Sequence, residues 1–185
     1  MLKTHQFQIS YIWYSTKNFF IMEMNFYILL IAAIIPMIIG FVWYGPLFGN
    51  AWMKEMGFTK ESLEGQNMAK IFILSYIFSL LIAFFLQFIV IHQGGVFSSI
   101  LEPGSTELQG DALTYFQDFM AKYGNNYRTF KHGVLHGVLS GVFFVLPVLS
   151  IIAMFEKKSF KYVAINAGYW IVTLAIMGGI ICQWL

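Results

Sequence analysis

Hydrophobic residues fall into four long blocks, separated by runs in which charged and turn-forming residues concentrate. The first runs from Phe26 to Tyr44 without a charge, the second from Ile71 to Ile91, the third from about Gly133 to Phe155, and the fourth from Tyr162 to about Ile181. A helix needs about 20 consecutive apolar residues to cross about 30 Å of hydrocarbon, so each block predicts one transmembrane span. Pro36 and Pro147 cannot donate a backbone hydrogen bond, and a kink is expected at each. The first block closes on Trp43-Tyr44-Gly45-Pro46, where interfacial aromatics precede a glycine stop and a proline. Phe48 to Gly57 then reads as a turn and a short surface helix that anchors the end of the span.

The connections are unequal. Residues 58–70 form a polar connector in which Thr59 is placed to cap a helical turn. Glu156 to Lys161 is short enough to make the third and fourth spans an antiparallel hairpin. Between His92 and Lys131 lies the one long connection, where Gly94-Gly95 and Glu102-Pro103-Gly104-Ser105 mark loop and turn. Within it, Ala112, Leu113, Phe116, Phe119, Met120 and Tyr123 share one helical face, and Asp111, Thr114, Gln117, Asp118 and Lys122 share the other. An amphipathic surface helix over about 111–123 is expected, lying on the membrane or the bundle mouth, with Gly124 as its stop. Ser75, Ser79 and Gln87 are the polar side chains of the second span, and Gln87 is expected to hydrogen-bond to a neighbouring helix.

The start of the third span has a pattern of its own. From Lys131 to Gly141, residues recur at a spacing of four, which on a helix puts Gly133, Gly137 and Gly141 in one stripe. His132, His136 and Ser140 fall in the stripe beside it. A smooth packing groove therefore runs along a polar edge. The fourth span offers matching small residues, Ala164, Gly168, Ala175 and Gly179, which can approach the glycine stripe closely and supply van der Waals attraction between helices.

Composition agrees with lipid as the solvent. Of 185 residues, 58% are hydrophobic and 11% charged, against about 25% charged in soluble domains. A formal charge of +2, with basic residues scattered between hydrophobic blocks, gives no footprint for nucleic acid. Cys182 is the only cysteine, which excludes an intramolecular disulfide and a multi-cysteine metal cage.

Two stretches carry a resemblance. The helix end Gly40-Phe41-Val42-Trp43-Tyr44-Gly45-Pro46-Leu47-Phe48-Gly49, followed by Ala51-Trp52-Met53-Lys54-Glu55-Met56-Gly57-Phe58, is similar to the membrane proteins grouped as domain of unknown function 1761. The similarity returns over Gly133 to Gly141, at Phe155-Glu156, and from Asn166-Ala167-Gly168-Tyr169 through Gly178, covering most of residues 24–185. It implies a four-span fold in a membrane and brings no activity, so no functional residue is carried over.

Residues 1–23 break up any apolar core of signal-peptide length with Lys3, His5, Gln6, Gln8, Lys17, Asn18 and Glu23, and no cleavable signal is expected. The segment reads either as an interfacial arm, with Tyr11, Trp13, Tyr14, Phe19 and Phe20 at headgroup level, or as a stretch ahead of a start at Met22 or Met24. Residues 24–185 read as one four-helix transmembrane domain. Lysine and arginine concentrate in the first and third connections (Lys54, Lys60, Lys70, Lys157, Lys158, Lys161) over the middle one (Lys122, Arg128, Lys131). The positive-inside rule then expects the short connections in the cytoplasm and the middle loop outside, in a multi-pass protein of the cell (inner) membrane.

Topology narrows the chemistry. The end of the second span and the start of the third lie on the same membrane side, so His92, His132 and His136 can converge, with Glu102, Glu107, Asp111 and Asp118 in the loop above. Imidazoles four apart on a helix suit Zn²⁺ or a similar transition metal, which accepts a third histidine or a carboxylate. The bland alternative puts His132 at the interface and bonds His136 to a neighbouring helix. Position 133 is glycine, so the zinc-hydrolase motif that places glutamate after the first histidine is absent. No acid or base of the Asp, Glu, Lys or Arg type lies within the four spans, which disfavours ion-coupled transport and leaves passage of a small neutral or apolar molecule.

The expectation is an all-α membrane protein with four transmembrane helices and a short amphipathic surface helix. No activity can be assigned, and catalysis has no residue set in its support. The reading favoured is a non-enzymatic binding or accessory protein whose partners are the lipid bilayer and a second copy or another membrane protein. A carrier of a neutral molecule and a metal-binding protein using His92, His132 and His136 stand as alternatives.

Overall fold

The computed structural model describes residues 25–185. The arm expected over residues 1–23 lies outside the described residues. The regular structure among them is all helical, with no strand. Among the described residues, four helices are long and apolar enough to cross a membrane, Phe26–Leu47, Met68–Val90, Phe130–Phe155 and Phe160–Trp184.

The first span bends where the proline requires. Helix Phe26–Ala32 gives way at Ala33 and Ile34 to helix Ile35–Val42, with Pro36 in the first turn of the second segment, where its missing N–H has no partner to lose. The helical path then runs past the expected stop at Tyr44. Residues Trp43–Leu47 form a wide π turn in which Phe48 N–H bonds to the Trp43 carbonyl at 2.8 Å, a geometry that takes in Gly45 and Pro46. Helix Gly49–Met56 follows and ends on Gly57 in the left-handed region, φ 71°. Phe58 N–H reaches the Met53 carbonyl at 2.9 Å, which closes the end in a Schellman motif.

Caps explain why three helices start where they do. Asn67 Oδ1 accepts from Lys70 N–H, so the second span begins at Met68, ahead of the apolar block. Thr129 Oγ1 accepts from His132 N–H and Ser159 Oγ from Tyr162 N–H, which starts the third span at Phe130 and the fourth at Phe160. The kink expected at Pro147 takes the form of a π turn over Gly141–Val145, just before the proline. The wider turn makes room for a ring that would otherwise meet the preceding turn of helix.

The middle connection holds more helix than its glycines suggest. Gln93–Ile100 is helical despite Gly94-Gly95, because the Gln93 carboxamide donates to the Asn126 carbonyl at 2.9 Å and pins the segment. The surface helix runs Gly110–Tyr123, buries Phe116, and sets that ring edge-on to Phe97.

The fourth span is the mast around which the others pack. Of its most apolar stretch 56% is buried, against 11% for the third span, whose outer side leaves Phe143, Phe144 and Phe155 exposed. The core joins Leu29 and Ala32 of the first span, Ala83, Leu86 and Val90 of the second, and Leu174, Met177, Ile181 and Cys182 of the fourth. A polar exception sits within it. Gln87 Nε2 and Thr173 Oγ1 are buried without a partner among the described residues, so the bond expected of Gln87 is not made by its amide nitrogen.

Candidate metal centre

The glycine stripe fixes the orientation of the histidines. A β-carbon on Gly133 would run into the Gly178 carbonyl, one on Gly137 into the Leu174 carbonyl, and one on Gly141 would lie 2.7 Å from Ile171 Cγ1. The third and fourth spans thus touch backbone to backbone. Since successive helical residues are turned by about 100°, seating the glycines on the fourth span aims His132 and His136 to one side of it. Two further bonds tie the start of the third span to the end of the fourth. Arg128 Nε donates to the Cys182 carbonyl at 2.9 Å, and Phe130 N–H donates to Gln183 Oε1 at 2.9 Å.

The small residues proposed for the fourth span fall in several places. Ala175 lies at the seam, where its Cα would be 2.7 Å from a β-carbon on Gly137, and Gly179 packs against the Phe130 ring. Gly168 faces Trp43 instead, and Ala164 is exposed. Gly178, outside that four-residue pattern, makes the closest approach to Gly133.

His92 arrives from the second span. The helix ends at Val90, Ile91 is extended, and His92 lies in the turn before Gln93, whose carboxamide anchors it. His92 Nε2 is 3.0 Å from His132 Nε2 and 3.1 Å from His136 Nε2. The three ligand atoms all lie within 4.8 Å of one another. The rings meet edge to face, with centroids 4.5 to 5.1 Å apart. Tyr127, held in the left-handed region at φ 60°, lays its ring 5.2 Å from that of His132.

Hydrogen bonding alone accounts poorly for this cluster. A neutral imidazole nitrogen carries either a proton or a lone pair, so His92 Nε2 can donate to one neighbour or accept, and the other contact stays mismatched. A metal ion is an acceptor of all three lone pairs. Zn–N bonds of about 2.0–2.1 Å in a tetrahedron put adjacent nitrogens about 3.3 Å apart, close to the two separations from His92, while the set as a whole lies within 4.8 Å. His92, His132 and His136 could therefore hold a metal ion.

The carboxylates do not join them. Glu102 and Glu107 line a small separate cavity of about 160 Å³ beside the surface helix, and neither they nor Asp111 or Asp118 belong to the histidine group. None of the three rings bonds through Nδ1 among the described residues. The second histidine of the helix is joined to the serine below it only through the backbone, Ser140 Oγ donating to the His136 carbonyl at 2.8 Å.

At the opposite end of the bundle the two motifs that carry the resemblance meet each other. Trp43 Nε1 donates to the Ile165 carbonyl at 3.0 Å, and Tyr44 OH donates to Asn166 Oδ1 at 2.8 Å. Asn166 Nδ2 donates in turn to the Tyr162 carbonyl, and Tyr169 OH donates to the carbonyl of Pro36. Glu55 of the short surface helix accepts from Ser159 and pairs with Lys161 at 3.7 Å. These contacts clamp the first span to the fourth. The chain belongs to the family described as Protein of unknown function (DUF1761), which matches residues 27–182. No curated protein and no solved structure matches it. The match takes in both the clamp and all three histidines, and the family's description attaches no activity to either.

Proposed function

We propose that this member of the family binds a first-row transition metal, Zn²⁺ in the first instance, through His92, His132 and His136 at one face of the membrane. The observation that carries the reading is the approach of His132 and His136 to His92 at 3.0 and 3.1 Å between Nε2 atoms. Three neutral nitrogens and no thiolate or carboxylate suit Zn²⁺, Cu²⁺ or Ni²⁺ over Mg²⁺ or Ca²⁺, which prefer oxygen.

The metal's role in this reading is to cross-link. It joins the end of the second span to the first turns of the third and closes the long connection between them, and clips that close long loops stabilise most by removing chain entropy. A binding role ranks above a catalytic one, because among the described residues no carboxylate joins the cluster to serve as a general base. By the distribution of lysine and arginine, the centre faces the outside of the cell membrane. The lipid-facing side of the third span is open to bilayer lipid, to a second copy or to another membrane protein.

Thermal unfolding of the purified protein tests this. At 100 times its dissociation constant, a ligand that binds only the folded state adds about 2.7 kcal/mol. Zn²⁺ is expected to raise the Tm of the wild type and to leave a His92→Ala variant unmoved. Equal behaviour of the two would remove the metal reading.

A further inference from the structure

A groove on the outer side of the bundle shares no residue with the histidine cluster. Open and about 430 Å³ in volume, it lies between the first, second and fourth spans and extends from near the start of the second span, at Ile71, to its middle, at Ile82. The first span is interrupted at Ala33 and Ile34, just before Pro36, and Gly40, which lines the groove, contributes no side chain to fill it. The walls are aromatic, with Phe41, Phe72, Phe78 and Trp170. Among the described residues, none that lines it is charged.

Two hydroxyls in the groove have no hydrogen-bond partner among the described residues. In a helix within hydrocarbon a serine ordinarily donates to the carbonyl four residues back, as Ser140 does to His136 and Ser150 does to Leu146. Ser75 and Ser79 line the groove and make no hydrogen bond among the described residues, although Ser79 is only 3% exposed. They sit four apart, on one helical face. The third hydroxyl there, Tyr169 OH, is committed to the Pro36 carbonyl at 2.8 Å. A donor without a partner is costly where no water reaches, so the groove presents a pair of unused donors on an apolar aromatic surface.

We infer that this groove binds a neutral, lipid-soluble molecule whose flat ring carries carbonyl oxygens, a compound of the quinone type. The ring lies against the aromatic walls, the carbonyl oxygens accept from Ser75 and Ser79, and an apolar tail leaves sideways into the bilayer. An ordinary acyl chain would fill the same volume but leave both hydroxyls unpaired. A charged headgroup would find no counter-charge at that depth.

The test uses the full chain in lipid nanodiscs, titrated with a decyl-substituted benzoquinone and followed by quenching of tryptophan fluorescence, to which Trp170 in the groove wall contributes. The wild type is expected to quench saturably, and the Ser75→Ala/Ser79→Ala variant to bind at least about ten-fold more weakly. Decylbenzene, which has the tail and ring without the carbonyls, is expected to compete at least about ten-fold less well against the wild type. That second arm needs no variant to fold. Equal affinity in wild type and variant, or decylbenzene binding as tightly as the decyl-substituted benzoquinone, would overturn the inference and leave the groove to bulk acyl chains.

Discussion

Nε2 of His92, in the turn after the second span, lies 3.1 Å from Nε2 of His136, one helical turn deeper in the third span than His132. Two residues 44 apart in the chain are thus brought to one point through side chains that offer lone pairs. What aims them is packing: the glycine face seats the third span on the fourth and turns the histidine edge toward the second.

Rotating that helix should therefore disturb both stability and metal binding. Gly137→Ala would put a β-carbon 2.7 Å from Ala175 Cα and closer still to the Leu174 carbonyl. Overpacking of this kind costs about 1–3 kcal/mol, and the variant is expected to lose that much in detergent unfolding and to bind Zn²⁺ more weakly. Gly94→Ala, which meets nothing within 4 Å, should stay within about 0.5 kcal/mol of wild type. Matching losses at the two positions would show that the seam is not under close contact.

The clamp at the other end makes a separate prediction. Tyr44 OH bonds Asn166 at 2.8 Å across 122 residues of chain. Hydrogen bonds between membrane helices are worth about 0.6 kcal/mol on average, with a maximum near 1.7. A double-mutant cycle of Tyr44→Phe and Asn166→Leu should give a coupling in that range, whereas strictly additive losses would mean the two side chains act independently.

Much of this architecture could be read from the chain, and the misses have identifiable causes. The four spans follow from the length of their apolar blocks, and the glycine face follows from its spacing. Which residues it would meet does not. Contacts run from Gly133 with Gly178 through Gly137 with Leu174 to Gly141 with Ile171, and beyond Gly141 the π turn inserts an extra residue that rotates the face by about 100°. Ala164, further along the fourth span, has no glycine left to meet and is exposed. The meeting of Trp43 and Tyr44 with Ile165 and Asn166 escaped because each motif reads locally, as a helix end and as a small-residue stripe. The convergence of His92 with His132 and His136 was legible as topology. Its distances depend on Gln93, Thr129 and Arg128, whose roles are set by tertiary contacts.

Orientation is open to chemical labelling, since the sole cysteine, Cys182, is buried. Charge distribution predicts that a membrane-impermeant maleimide applied to intact cells labels Glu102→Cys in the middle connection and spares Glu156→Cys in the third-to-fourth turn. The reverse pattern would put the histidine cluster on the cytoplasmic side.

Elemental analysis of the protein, purified without chelator, bears most directly on the metal centre. Three imidazoles around one tetrahedral ion predict about one equivalent of a transition metal per chain. The His132→Ala/His136→Ala variant, prepared alongside, should retain little of it. Substoichiometric metal in both preparations would contradict the account and leave the stretch from Lys131 to Gly141 as a packing seam.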